Sequence, residues 1–369
     1  MVGGQLLPGR RLQGHLGVGR GRRGGCRRPD ERGGGGVLAR LAENLFWAGR
    51  YIERAEDTAR MVDVTYHTQL ESPYGEVALA WQQLLEVLHL DAAYGAPIEP
   101  LSVMRFLVLD PHNPGSITAS VARARENTRS VRELVSSELW EAVNELHLAL
   151  GARDLARELE EQPYELFRTV SRMSMTIYGV ASETMPRDEG WRFMALGRML
   201  ERAEMTCRLI DVRYAQLEAM SGPSQRLAAA TGEAARGPDR TDFHHWIAVL
   251  KSASAFESYR RRYRSSMDPA DVVEFLLLEP DLPRSVLFCL GAARHQLDTL
   301  RDGRSSRAAR RLGRAAASLE FRDVAELFDV GLPSFLEGVQ QEIAEVAESI
   351  ADEFFHHQPS GALHAIAAG

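Results

Sequence analysis

The sequence predicts an all-α protein built as an internally duplicated helical bundle, with two similar helical units in a pseudo-twofold arrangement. The first observation is a repeat: Gly-Arg-Tyr-Ile-Glu-Arg-Ala-Glu at positions 49–56 returns as Gly-Arg-Met-Leu-Glu-Arg-Ala-Glu at positions 197–204. In both copies the apolar residues recur at spacings of three and four, which is the period of an amphipathic helix. A composition with 44% hydrophobic but only 7% aromatic residues also suits a helical protein.

The repeat continues along both halves of the chain, and the order of the matching segments is kept. The offset between the copies grows along the chain, which we attribute to a lengthened Gly/Pro/Ser-rich loop at residues 221–239. The matches outside the central motif are Trp81 with Trp246, Tyr94 with Tyr259, and residues 106–116 with residues 275–285.

These matches set the predicted domain organisation. Residues 37–185 form the first helical unit and residues 186–358 the second, and we expect the two units to form a single domain. A period of this length is that of a domain, because solenoid repeats are only about 20–50 residues long. Residues 359–369 are expected to be a flexible tail.

Residues 1–36 differ in composition from the rest of the chain. They contain 13 of the 31 glycines and eight arginines against two acidic residues. This composition predicts a disordered extension. Our preferred hypothesis is that the start codon is misassigned and that translation begins near Val37.

Charge and cysteine content exclude several classes of protein. The whole chain has a formal charge of −7 and the extension carries +6, so the remaining residues carry −13. This acidic body argues against a nucleic-acid partner. Apolar runs are broken by charge or proline within a few residues, so no membrane span is predicted. Cys26, Cys207 and Cys289 are widely separated, which fits a reduced cytosol and predicts a cytoplasmic protein.

The repeated helix carries pairs of arginines that are unusual for their position. Arg50 and Arg54, like Arg198 and Arg202, lie four residues apart, where like charges cost an isolated helix about 0.2–0.5 kcal/mol. Apolar residues surround both pairs, so we expect another part of the protein to cover them. The planar guanidinium group suits carboxylates or phosphates in such a setting.

Two interpretations of these charges remain open. In the structural one, Glu53, Glu201 and acids from other helices neutralise the arginines and fix the packing. In the functional one, the repeats face each other and the arginines line a cleft for an anionic ligand or for an acidic segment of a partner. Ordinary pairs at four-residue spacing are also expected, namely Glu56 with Arg60 and Glu204 with Arg208.

Two matching corners interrupt the helical pattern. Asp-Pro-x-x-Pro-Gly-Ser at residues 110–116 and Glu-Pro-x-x-Pro-Arg-Ser at residues 279–285 predict a helix end, a rigid turn and a serine that caps the next helix. The alternative is an anion site at the new helix N-terminus, to which Ser116, Ser285 and Arg284 contribute.

Other chemistry is scarcely represented. Asp188 and Glu189 are well placed for the N-terminal dipole of the second repeated helix. The many glutamates lack the Glu-x-x-His element of a di-metal carboxylate site. No Walker loop, zinc motif or serine-nucleophile motif is present, so we predict neither a metal nor a cofactor.

Three segments together carry a family resemblance. Residues 41–60, residues 125–133 with Trp140, and residues 188–204 closely resemble the bacterial alpha-E domain family, and the resemblance extends from about Val37 to the region of His357. It implies an all-helical fold. The acidic and arginine positions of the family motif fall on Glu43, Arg50, Glu53, Arg54, Glu56, Arg60, Arg125, Glu126, Arg187, Asp188, Glu189, Arg198, Glu201, Arg202 and Glu204.

The resemblance also implies a functional context. Genes of this family typically neighbour those of circularly permuted ATP-grasp proteins and transglutaminase-like cysteine peptidases. We therefore expect an accessory or scaffold protein of an ATP-grasp-linked peptide ligation or modification system, which holds an acidic peptide or a partner enzyme in an Arg/Glu-lined cleft.

Two alternatives to this expectation stay open. The first is an enzyme of the same pathway, with Glu53 or Glu201 as acid or base and the arginines as an anion site. The second is a purely structural, homo-oligomeric helical protein. A carboxylate with a raised pKa in a ligand-sized cleft would favour the enzyme, and the sequence itself favours a protein without catalytic activity.

Overall fold

The computed structural model describes residues 34–71, 74–220, 240–264, 267–300 and 306–355. These residues form helices joined by turns, with no strand among them, which confirms the all-α prediction. The predicted loop at residues 221–239 and tail at residues 359–369 lie outside the described residues, as do residues 1–33 of the predicted extension.

Seven α-helices lie within the predicted first unit, in the part that the structure describes. A short 3-10 turn at Arg132–Leu134 separates the fourth from the fifth. The helices are α1 Gly34–Glu71, α2 Tyr74–Val87, α3 Pro100–Val108, α4 Ile117–Ser130, α5 Ser137–Gly151, α6 Leu155–Glu161 and α7 Pro163–Thr184. The first helix therefore begins three residues before the predicted boundary at Val37.

Eight α-helices lie within the predicted second unit, in the part that the structure describes. A π-helical turn at Ala351–Phe355 follows the last of them. The helices are α8 Glu189–Met220, α9 Arg240–Ser252, α10 Phe256–Tyr263, α11 Pro269–Leu278, α12 Val286–Leu300, α13 Arg307–Glu320, α14 Val324–Val330 and α15 Leu332–Ile350.

The two repeated helices, α1 and α8, form the centre of the molecule. They make the most extensive helix–helix contact, and α1 also packs on α4 and α7 while α8 packs on α12 and α15. The apolar stripe predicted on each helix is buried, as Ile52 and Leu200 illustrate. Each fully buried side chain of this size contributes about 1.5–3 kcal/mol. That a twofold axis relates the units stays a prediction.

The matching corners are built as predicted. The hydroxyl of Ser116 accepts a hydrogen bond from the Ala119 amide at 3.3 Å and caps α4. The hydroxyl of Ser285 accepts one from the Phe288 amide at 3.1 Å at the start of α12. Both serines are buried, so each cap also fixes where the preceding turn lies against the core.

The turns that end α2 and α9 share one geometry. His89 (φ 54°) and Ser254 (φ 51°) both adopt the left-handed conformation. In each turn the following amide donates a hydrogen bond to a carbonyl of the preceding helix. The Leu90 amide donates to the Leu85 carbonyl at 2.9 Å, and the Ala255 amide donates to the Leu250 carbonyl at 2.7 Å. This is a helix-terminating turn, and it places His89 beside the central helices.

In the part of the chain that the structure describes, every helix is too short or too polar to cross a bilayer.

Candidate functional site

The site is built where α1 and α8 cross, and two glycines make the crossing close. A β-carbon at Gly49 would overlap the carbonyl oxygen of Met194, and one at Gly197 would overlap that of Phe46. Only glycine allows two helix backbones to approach this closely. The crossing brings the arginine pair of each helix against the glutamate of the other.

Glu201 of α8 is held by both arginines of α1. Arg50 Nε donates to Glu201 Oε2 at 2.5 Å, and Arg54 Nε donates to Oε1 at 2.6 Å. Arg50 also reaches Glu204 Oε2 at 2.6 Å, and Glu204 in turn pairs with Arg208 one helical turn later. These residues form one continuous chain of ion pairs, and Glu201 itself is 3% exposed.

Glu53 of α1 is held reciprocally by the arginines of α8. Arg202 Nε donates to Glu53 Oε1 at 2.5 Å, and Arg198 Nε lies 3.5 Å from Oε2. The Arg198 guanidinium also lies over the ring of Tyr178, 3.8 Å from its centroid. Arg284, from the corner before α12, adds a further contact to Glu53 Oε1 at 3.1 Å.

Arg284 links this cluster to two more carboxylates on α1. It donates to Glu56 Oε2 and to Asp57 Oδ1, each at 3.2 Å. Arg60 also pairs with both acids, including Glu56 Oε2 at 2.9 Å. The expected pair of Glu56 with Arg60 is therefore present within a larger buried network.

Carboxyl groups with this spacing resemble a cation site, but arginines already contact them. Ligand atoms of Glu53, Glu56 and Asp57 lie within 4.8 Å of one another. The guanidinium groups of Arg202, Arg284 and Arg60 contact these same oxygens. A metal ion bound here would have to displace cations that are part of the fold.

The electrostatics of the two central glutamates do not suit proton transfer. Burial alone would raise the pKa of Glu201, but Arg50 and Arg54 outweigh it and hold that pKa at about 2. Burial would also raise the pKa of Glu53, but the charges of Arg202 and Arg284 outweigh it and lower that pKa. Both carboxylates are therefore ionised near neutral pH and have no proton to donate.

A cavity of about 440 Å³ opens beside the Glu201 cluster. It lies between α1, the end of α2, the corner before α4, and α8. Its walls include the stacked rings of Trp47 and Tyr51, whose centroids are 5.7 Å apart. The lining contains no carboxylate, and its basic members are Arg50, Arg54, Arg123, Arg208 and His89.

The arginines of this cavity divide between internal pairing and the open space. Arg50 is buried, whereas the Arg54 side chain is 27% exposed. Arg123 donates to the Pro114 carbonyl at 3.1 Å and lies over the Tyr51 ring. Burial lowers the pKa of His89 and the positive charge of Arg208 lowers it further, whereas the carboxylates of Glu204, Asp91 and Asp211 oppose the shift.

The four arginines expected to line one cleft are divided between two environments. Arg50 and Arg54 line the cavity, whereas Arg198 and Arg202 lie in the Glu53 cluster and are not part of its lining. In place of the expected single cleft between the repeats, the structure has a buried ion-pair cluster on one side and an open cavity on the other.

Three further candidates lie elsewhere. Arg125 donates to Asn144 at 2.7 Å and pairs with Glu126, which is exposed on α4. Glu43 is exposed on α1. These residues contact their own surroundings and do not join the ion-pair network at the crossing.

Two candidates at the entrance to α8 have local structural contacts. Arg187 donates to the Ser182 carbonyl at 2.8 Å and lies over the Trp191 ring. Asp188 Oδ1 accepts a hydrogen bond from the Trp191 amide at 3.1 Å and so caps α8. The expected role of Asp188 at this helix start is confirmed, and Glu189 is the first residue of the helix.

Sequence reasoning missed three residues of the site: Asp57, Tyr178 and His89. Asp57 could have been found by aligning the two copies, because the second copy has Met205 at the equivalent position. Tyr178 lies on α7, and its hydroxyl donates to the Gly49 carbonyl at 2.9 Å. Neither it nor His89 belongs to a pattern that the sequence alone distinguishes.

Comparison with known proteins identifies the family. The sequence model of the Alpha-E family, described as a predicted alpha-helical domain with a conserved ER motif, matches residues 37–355. The Glu-Arg pairs at positions 53–54 and 201–202 lie at the crossing described above. No solved structure matches the chain.

The curated relatives are mycobacterial. Uncharacterised proteins of Mycobacterium bovis and Mycobacterium tuberculosis are each 28% identical over 349 residues. The alignments cover 87% of this chain but only 37% of each relative. The chain therefore spans little more than a third of the length of the curated relatives that it matches.

Proposed function

The chain belongs to the Alpha-E family, and we propose that it is an accessory protein of an ATP-grasp-linked peptide ligation or modification system. In this role it is cytoplasmic, has no catalytic activity of its own and holds an acidic peptide or an acidic segment of a partner enzyme. The partners are a circularly permuted ATP-grasp protein and a transglutaminase-like protein. Two duplicated units related by a twofold axis form the scaffold.

One observation supports the binding role: the arginine-lined cavity beside Glu201 is open and has no carboxylate in its lining. The link to ATP-grasp and transglutaminase-like proteins rests on the family resemblance. Aromatic and arginine side chains together favour recognition of an extended acidic segment, because Trp47 and Tyr51 offer apolar surface next to the guanidinium groups of Arg54 and Arg123. Clefts lined by one sign of charge also attract partners of the opposite sign.

The enzyme alternative receives less support from the electrostatics. Glu53 and Glu201, the candidate acid or base, are buried, paired and held ionised by arginines. A general acid near neutral pH requires a raised pKa instead. Asp57 does have a raised pKa, but it is 3% exposed and lies in the cluster that Arg284 covers.

The structural alternative is favoured by the dense pairing of the Glu53 cluster. Arg202, Arg284 and Arg60 each contact carboxyl oxygens within it, which is what a packing device requires. The paired cluster and the open cavity are separate, so a structural role for the first is compatible with a binding role for the second.

The experiment is a pull-down of the natively expressed protein from its own cells, with mass spectrometry of the chains that co-purify. The proposal expects an ATP-grasp or transglutaminase-like protein with the wild type and its loss with Arg123→Glu, which reverses an exposed charge at the cavity. Arg129→Glu is the matched control, because Arg129 is exposed on the same helix but does not line the cavity. Recovery of the protein alone would favour a purely structural homo-oligomer.

A further inference from the structure

Two of the positions at which the copies of the repeat differ lie at the cavity and distinguish it from the Glu53 cluster. The sequence repeat pairs Arg284 with Gly115 in the corners and Asp57 with Met205 on the central helices. In the second corner, Arg284 extends into the Glu53 cluster and contacts Asp57 directly. Gly115 and Met205 line the cavity instead.

The first difference supplies space. Gly115 has no side chain, and a β-carbon added there would meet only Asn113 Oδ1 at 3.3 Å and Leu90 Cδ1 at 3.9 Å. The long side chain that fills the Glu53 cluster is therefore absent on the Glu201 side, where the cavity of about 440 Å³ lies.

The second difference removes a carboxylate from an arginine. Arg60 uses Nε for Glu56 and Nη2 for both Glu56 and Asp57. Its counterpart, Arg208, pairs through Nη2 with Glu204, while its Nε is buried without a hydrogen-bond partner among the described residues. At Arg60, Nε is taken by Glu56 and Nη2 is shared with Asp57, so Arg60 has two carboxyl partners where Arg208 has one, Glu204. A carboxylate that enters the cavity would supply the second partner.

The other arginines of the cavity also retain donors. Arg54 uses Nε and Nη2 for Glu201, and Arg123 uses Nη1 for the Pro114 carbonyl. Each guanidinium group carries five N–H donors in a planar fork, so both keep N–H groups for a ligand. Four arginines line the cavity, and the adjacent network supplies two carboxylates, Glu201 and Glu204.

We propose that the cavity between Gly115, Met205, Arg123 and Arg208 is a carboxylate-binding site, which takes a glutamate or aspartate side chain or a C-terminal carboxylate of an acidic peptide. This inference rests on the proposed function and names the chemical group that the accessory protein recognises. The carboxylate supplies the second carboxyl partner of Arg208, and the aromatic pair Trp47 and Tyr51 contacts the adjoining chain.

The test is titration calorimetry of the purified full-length protein with the tripeptide Glu-Glu-Glu, with inorganic phosphate and Gln-Gln-Gln as comparison ligands. We expect the glutamate peptide to bind, the glutamine peptide not to bind, and added salt to weaken the affinity. Binding of phosphate without binding of the glutamate peptide would overturn the carboxylate assignment. Failure of the glutamate peptide to bind at millimolar concentration would overturn the site.

The decisive variant restores the arrangement of the other copy. Gly115→Arg combined with Met205→Asp places the Arg284 and Asp57 counterparts in the cavity, and we expect affinity for Glu-Glu-Glu to fall by about tenfold or more. Undiminished affinity in the folded double variant would contradict the proposal. Arg123→Gln provides a second route if that variant fails to fold, because Arg123 is exposed, and Arg129→Gln is the control whose affinity should not change.

The titration and the pull-down fail in different ways. The titration uses isolated protein, so an absent partner in cells leaves its result unaffected. Recovery of a partner together with no glutamate binding would retain the accessory role and reject the carboxylate site. Glutamate binding without any recovered partner would retain the site and reject the accessory role.

Discussion

Gly49 of α1 lies directly against the main chain of α8, where an added β-carbon would overlap the carbonyl oxygen of Met194. Gly197 lies reciprocally against Phe46 of α1. The ion pairs between the helices depend on this approach, because each arginine must reach the glutamate of the opposite helix. The two glycines and the salt bridges are therefore one structural unit.

We expect Gly49→Ala to lower the free energy of unfolding by about 1–3 kcal/mol or more, since the helices must move apart to admit the methyl group. Urea denaturation followed by circular dichroism measures this loss. Gly179→Ala is the matched control: Gly179 is exposed within α7, with no atom near the added carbon. Its replacement should stabilise the protein by about 0.5–1 kcal/mol. Equal effects of the two substitutions would contradict the close crossing.

We expect the loss of Arg202 and the loss of Arg54 to lower the free energy of unfolding by different amounts. The Arg202 side chain is 5% exposed and that of Arg54 is 27% exposed. Breaking a buried pair costs about 3–5 kcal/mol, because an uncompensated charge is left in the interior. We therefore expect Arg202→Ala to reduce the unfolding free energy by this amount and Arg54→Ala to reduce it less.

Arg129→Ala is the control for these two variants, because Arg129 and its partner Glu126 are at least half exposed. Exposed pairs contribute about 0–1 kcal/mol, so its stability should change little. Equal losses in Arg54→Ala and Arg202→Ala would mean that the cavity arginines are as structural as those of the buried cluster.

The repeat in the sequence predicts the central part of this structure but not its asymmetry. Apolar spacing locates α1 and α8, and the serines of the two corners predict the caps, because these are local patterns. The Gly49 approach depends on where two helices cross, which spacing along one helix does not determine. Contact of Arg284 with Glu53 joins residues 231 positions apart. The replacement of Arg284 by Gly115 is visible in the aligned copies, but only the fold shows that it leaves a cavity.

Acid should destabilise the protein through Glu201. The folded-state pKa of Glu201 is about 2, below the ordinary value of 4.5, because Arg50 and Arg54 outweigh the effect of burial. A lowered pKa contributes stability above the unfolded-state value, and that contribution is lost as pH falls from about 4.5 to about 2. The loss is on the order of 3 kcal/mol for this group.

Unfolding free energies across that pH interval measure the effect. The Glu201→Gln variant should be less stable at neutral pH and show a shallower decline in acid than the wild type. Glu43→Gln, at an exposed position on α1, should keep nearly the wild-type slope below pH 4.5. A wild-type slope retained in Glu201→Gln would assign acid sensitivity to other carboxylates.

Asp57 should have the opposite pH dependence. Burial raises its pKa to about 8, and Glu53 and Glu56 add to the rise against the opposing charges of Arg60 and Arg284. Between the unfolded-state value of 3.8 and about 8, the folded protein binds the proton more tightly than the unfolded chain does. Stability contributed by this group therefore falls as pH rises through that interval.

Asp57→Asn isolates this contribution, because asparagine is neutral at every pH. Its amide group can take the position of Asp57 Oδ2, which has no hydrogen-bond partner among the described residues. The stability of Asp57→Asn relative to the wild type should increase from about pH 5 to about pH 8 and then level off. Glu126→Gln should show a constant difference over the same range. If the difference for Asp57→Asn is also constant, Asp57 is already ionised at pH 5, and the arginines rather than burial determine its charge.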